Sequence, residues 1–323
     1  MEGKLLSNIK DLDLHKLSYL DDKDLFNFCL TNKEINQLCN NETFWRNRLI
    51  NKYGKEVADF KNENRTWKDY YLSIVYYDEK YTPDKALKVV SEKGYLDLAK
   101  FFIGKGAYLH GGLYAAAKGG HKDLVNFYLS KSANIINGLF GAAEGGHKDL
   151  IDFFIEKGAH NWRTGLFAAA EGGHKDIIDF FISKGANNWN GGLEGAAEKG
   201  DRDLVNFFIS EGANDWNQGL GHAAKGGHVD LVNFFISKGA RNWNTGLFFS
   251  AIGGHKDLVD FFISQGANRW DHGLGGAAYG GHKNLVDFFL SKGADDLNDA
   301  LSKAKTGGYK EMIKYLEKLL KND

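Results

Sequence analysis

Proline is almost absent: Pro83 is the single one in 323 residues. Cysteine is scarce as well. Cys29 and Cys39 are too few for a disulfide framework, which points to a reducing, intracellular and cytoplasmic setting. Neither charge is in excess. Lys and Arg number 41, Asp and Glu 42, for a net charge of −1. A general nucleic-acid binder would show a basic surplus, so that class is excluded. No stretch reaches the ~18 consecutive apolar residues of a membrane span. Met1-Glu2-Gly3-Lys4 does not open an apolar signal segment either. Glycine is the exception, with 40 residues against a usual ~7%.

The glycines are in register. Gly-Gly-His-Lys-Asp recurs from Gly119, Gly145, Gly172 and Gly253, and Gly280 opens a variant ending in Asn. Anchored on the residue after the second glycine, the series runs Tyr95, His121, His147, His174, Asp201, His228, His255, His282 and Tyr309. The spacing is 26, 26 and then 27 residues. Nine units fill residues 84–323, and a period in this range means a stacked array.

The fifth unit shows the physics. Leu193, Ala196 and Ala197 fall at i, i+3, i+4, the apolar stripe of a short helix. Gly200 suits a left-handed helix cap, and every unit has glycine there. Asp201 opens a second helix. Leu204, Val205, Phe207, Phe208 and Ile209 make it apolar around much of its circumference, so it is deeply buried. Ordering each residue costs ~1–2 kcal/mol, while each buried apolar side chain returns ~1.5–3 kcal/mol. One unit cannot meet that cost, so the units must stack.

The run Leu193-Glu194-Gly195-Ala196-Ala197, Gly200-Asp201, Leu204 to Ile209 and Gly212-Ala213-Asn214 resembles the ankyrin repeat. The likeness implies helix pairs in all nine units. The ankyrin period is 33 residues and this one is 27, so the projecting β-turn finger is reduced to a short turn. Short units of this kind resemble the ankyrin-repeat proteins of giant DNA viruses, which implies a host-cell setting. The ninth unit has Glu317 where the others have Ile or Leu, and Lys303 and Lys305 in its first helix. Such a polar face is how a solenoid stops. At ~10 Å per unit, nine units predict an array ~90 Å long.

Residues 1–81 lack the repeat. Leu17-Ser18-Tyr19-Leu20-Asp21-Asp22-Lys23-Asp24-Leu25, Leu30 to Cys39 and Phe44-Trp45-Arg46 resemble an F-box. Asn8 and Ile9 stand where that family usually opens with Leu-Pro. The resemblance implies docking to the Skp adaptor of a cullin-type ubiquitin ligase through exposed apolar residues, with Leu17, Leu20 and Leu25 as candidates. The alternative is a helical cap on the first repeat.

Several columns invite a chemical reading. The histidines His121, His147, His174, His228, His255 and His282 recur once per unit. Stacked units lie ~8–10 Å apart, whereas zinc needs ligands at ~2.0–2.1 Å. The histidines are therefore expected to bond to backbone at the start of each second helix. Trp162, Trp189, Trp216, Trp243 and Trp270 fill the shortened turn. Lys148-Asp149, Lys175-Asp176 and their equivalents read as a solvated charge stripe. There is no nucleophile–base–acid set and no phosphate-binding Gly-Lys-Ser/Thr loop, so neither enzyme nor cofactor is expected.

What varies is one ridge of the first helices. It carries Tyr114, Phe140, Phe167, Glu194, Phe248, Ile252 and Tyr279, with Phe249 beside it. Aromatic anchors around a polar centre fit a protein-binding surface. The sequence predicts an all-α chain, with an F-box-like domain at 1–81 and an ankyrin-like solenoid of nine units at 82–323. Its expected role is a non-catalytic adaptor that holds a target protein and docks a ubiquitin ligase. The alternative is a pure scaffold that sequesters its target. No nucleic acid or membrane partner is expected.

Overall fold

In the computed structural model, each unit of the register becomes a helix pair. The model describes residues 20–22, 24, 25, 29 and 39–321. In the fourth repeat the helices are Trp162–Gly172 and Lys175–Ser183. Asn161 caps the first by accepting the Thr164 N–H. Gly173 ends it at φ 81°, where a side chain would be strained. The last pair is Leu297–Gly307 and Lys310–Leu319. Among the described residues the elements are helices and no strand forms, so the chain is all-α. None of these helices is long and apolar enough to cross a membrane.

The core lies between the two layers of helices. Phe154, Phe181, Phe208, Phe235, Phe262 and Phe289 of the second helices are fully buried. Each points at a glycine of its own first helix. A Cβ on Gly192, for example, would lie 2.2 Å from the Phe208 ring. In repeat 2 Tyr128 takes this place, and its hydroxyl meets Ser91 Oγ at 2.5 Å.

First helices of successive repeats pack backbone to backbone. The Lys118 carbonyl oxygen lies 2.2 Å from the place a Cβ on Gly145 would take. Dense packing runs along the first helices and, within a repeat, from first helix to second. Closer approach on one edge curls the array with its first helices inside.

After nine repeats the turn closes. The Thr82 N–H donates to Gly308 O at 3.0 Å. Tyr81 and Tyr309 form an antiparallel bridge, with ring centroids 6.0 Å apart. Lys310 Nζ donates to the Asp78 carbonyl. The expectation of an open array ~90 Å long is therefore corrected, because its last repeat meets its first. Glu317 is exposed, as expected of an end. The rest of the ninth unit is part of a seam.

The chain divides into Met1–Tyr77 and Asp78–Asp323. Residues 78–81 group with the repeats rather than with the head. Asp78 pairs with Lys105 at 2.6 Å, and Tyr81 bridges to Tyr309.

In the first unit, α1 (Glu42–Tyr53) starts at Asn41, whose side chain accepts the Phe44 N–H at 3.1 Å. α2 (Trp67–Lys80) supplies Tyr70, Tyr71 and Ile74 to a core with Trp45 and Leu49. Buried Arg48 binds Asp22 at 2.7 Å, Tyr71 Oη at 3.0 Å and the Leu20 carbonyl at 2.6 Å. Burial pushes the Asp22 carboxyl up, but hydrogen bonds from Lys52, Tyr71 and Arg48 outweigh it and hold it below the usual range.

Two sequence expectations change here. Cys29 and Cys39 form a disulfide, both buried, with Cα atoms 5.8 Å apart. That separation suits a bridge, so the reducing setting expected from the scarcity of cysteine loses its support. Leu25 is 1% exposed and belongs to the core, so it is not an exposed docking residue. Leu20 is half-buried, and Leu17 lies outside the described residues.

Candidate functional site on the inner face of the repeats

The recurring columns turn out to join one repeat to the next. His147 Nε2 meets the carbonyl of Lys118 at 3.0 Å, and His174 meets that of Glu144 at 3.0 Å. His121, His228, His255 and His282 repeat the contact. The expected backbone partner is thus the preceding repeat. Asp201 instead caps its own helix, accepting the Leu204 N–H at 3.0 Å. Among the described residues no group of His, Cys, Asp or Glu could hold a metal ion.

The lysine stripe is more than solvated charge. Lys175 pairs with Asp179 and lies 4.4 Å from the centre of the Phe207 ring in the next repeat. Lys148 over Phe180 and Lys256 over Phe288 do the same.

Sequence reasoning missed a further joint. The residue after the column tryptophan receives the backbone of the next turn. Asn190 Oδ1 accepts from Asn214 N at 2.8 Å and Asp215 N at 3.1 Å. Asn217, Asn244 and Asp271 repeat this. The signal was the recurrent Trp-Asn pair. It replaces the missing finger with a side-chain ladder.

The ridge faces inward and the closed turn sorts it into three zones. Phe167 and Phe249 gather around His222, and Phe248 packs on Phe249. The His222 ring lies 4.9 Å from Phe249 and 6.4 Å from Phe167, which is two repeats away. Repeat 5 places Glu194 and buried Gly195 between them. Phe248 extends the group to His272 at 6.4 Å. Phe140 is half-buried at the same column in repeat 3.

The second zone is charged. Glu144 is 9% exposed, pairs with Lys118 at 2.5 Å and accepts the Tyr114 hydroxyl. Burial pushes its carboxyl up to about 8, and the like charges of Glu171, Glu92 and Glu198 add to this. Burial and Glu198 also raise Glu171. Burial raises Glu194, with His222 opposing. Glu198 goes the other way. Burial would raise it, but hydrogen bonds from His222 at 2.9 Å and Lys225 at 2.5 Å hold it low.

The third zone is a cavity of about 900 Å³ at the seam. Tyr114 from repeat 2, Ile252 from repeat 7 and Tyr279 from repeat 8 all line it. These residues are far apart in sequence, and only the closed turn brings them together. Lys85, Lys88 and Tyr108 face them from the first two repeats, and Lys305 from the ninth.

The ankyrin-repeat family model, described as three copies, matches residues 113–191 and 139–219. The F-box domain model matches residues 17–47, beginning at Leu17. No curated protein matches the chain significantly. The chain is thus an all-α protein in which a segment similar to the F-box domain precedes repeats similar to ankyrin repeats.

Proposed function

We propose that this protein is a non-catalytic adaptor whose repeats hold a target protein while its head docks the Skp adaptor of a cullin-type ubiquitin ligase. The observation that carries the reading is the pairing of an F-box match with ankyrin matches in one chain. Both are interaction modules. On the repeats, Phe140, Phe167, Glu194, Phe248 and Phe249, with Tyr114, Ile252 and Tyr279 at the seam, are the contact residues. Rings held half-buried by neighbours keep little freedom to lose on binding, as suits hot spots. On the head, Leu17 and Leu20 carry the docking role, since Leu25 is buried. The short repeat period fits a giant-virus protein acting in a host cell.

Affinity purification of the full chain tests this. The wild type should bring down Skp and cullin components. Leu20→Asp should lose them while circular dichroism still reports folded repeats. If the wild type brings down neither component, the ligase role is wrong. A scaffold that sequesters its target then stands, a reading favoured by Asn8 and Ile9 in place of Leu-Pro.

A further inference from the structure

The seam cavity differs in charge from the rest of the inner wall. In the charged zone Lys118 and Lys225 each lie 2.5 Å from a glutamate, Glu144 and Glu198, on a wall that also carries Glu171. At the seam, Lys85, Lys88 and Lys305 line the cavity, and none of them pairs with a carboxylate among the described residues. Asp84 is the one acidic residue on its wall, and it is engaged in accepting the Tyr108 N–H at 2.7 Å. Three lysines against one aspartate leave a surplus of two positive charges. The two histidines of the wall are also committed. His110 Nδ1 takes the Asn134 N–H at 3.2 Å, and His282 Nε2 meets the Ile252 carbonyl at 3.0 Å.

The remaining lining suits one kind of guest. A volume of about 900 Å³ falls within the ~300–1,000 Å³ of small-molecule sites. Its cations are all lysines, which bind phosphate as point charges. Thr82 adds a hydroxyl, while the Thr306 hydroxyl is engaged in donating to the Ser302 carbonyl at 3.1 Å. Tyr108 is 77% exposed and Tyr279 40%, and both line the cavity. Lys85 and Lys88 belong to the first repeat and Lys305 to the ninth. A ligand touching all three therefore spans the seam.

We propose that the seam cavity binds a small molecule carrying a polyphosphate. The phosphates lie between Lys85, Lys88 and Lys305, and the ligand fastens the last repeat to the first. This inference does not depend on the ligase role.

Calorimetry on the full chain with inorganic tripolyphosphate tests it. One site per chain is expected, weakening as salt rises, with orthophosphate binding at least tenfold more weakly. Tripolyphosphate should also raise the melting temperature, because it binds the closed form alone. Lys85→Gln and Lys305→Gln should each weaken binding at least tenfold, with melting of the unliganded protein little changed. Lys131→Gln, at an exposed site on repeat 2, should leave affinity unaltered. No heat with tripolyphosphate overturns the proposal, as does affinity that both seam variants leave intact. Tighter binding of a hexaglutamate peptide also overturns it, since the guest would then be an acidic protein segment.

Discussion

Glu144 sits on the inner wall with little water around it and three glutamates nearby. Its pKa rises from 4.5 to about 8 on folding. A carboxyl raised in this way favours the fold while protonated. Its contribution is complete below the unfolded value and is lost as pH climbs through about 8. Stability should therefore decline from mildly acid to mildly alkaline pH. Glu144→Gln keeps a neutral partner for Tyr114 and removes the charge. Thermal melts should match the wild type near about pH 5 and exceed it near about pH 9. If the two proteins decline in parallel, the Lys118 pair keeps Glu144 ionised throughout and the argument fails.

Within a repeat, the glycine and phenylalanine of the two helices form a matched pair. Phe208→Ala should cost ~3–5 kcal/mol by opening a cavity in the core. Gly192→Ala alone should also destabilise, since its Cβ would lie 2.2 Å from that ring. Placed in the Phe208→Ala background, it should fill part of the cavity and recover stability. Denaturant melts of the four proteins would reveal the coupling, and additive effects would refute it. The lysine stripe works between elements. Lys175→Ala should cost ~0.5–1 kcal/mol through its ring contact with Phe207. At this scale the sequence was highly legible. The glycine caps and the shortened turn follow from spacing and side-chain size, whereas the second helix, expected to be deeply buried, is buried on one face only, at Leu204, Val205 and Phe208, with Phe207 and Ile209 half-buried. The Asn190 ladder and the reach of His147 to Lys118 were not legible, because their partners lie in another repeat. Position within a unit says nothing of what faces it across the joint.

Across the array, small biases add up. Each repeat is closer to its neighbour at the first helices, and nine such steps complete a turn. Periodicity counts repeats but does not measure the angle between them, so closure escaped the sequence reading. Sequence spacing sets the ridge residues in one column. That Tyr114 and Tyr279 share a cavity followed only from the closed turn. The polar last repeat showed the same gap. Lys305 was read as the mark of a free end, and it lines the seam. Closure is the claim on which the site rests, and single-molecule energy transfer between dyes at Lys93 and Lys318 would test it most directly. One compact, high-transfer population is the predicted result. A low-transfer population, with the dyes separated by most of the ~90 Å that nine extended units would span, would contradict it.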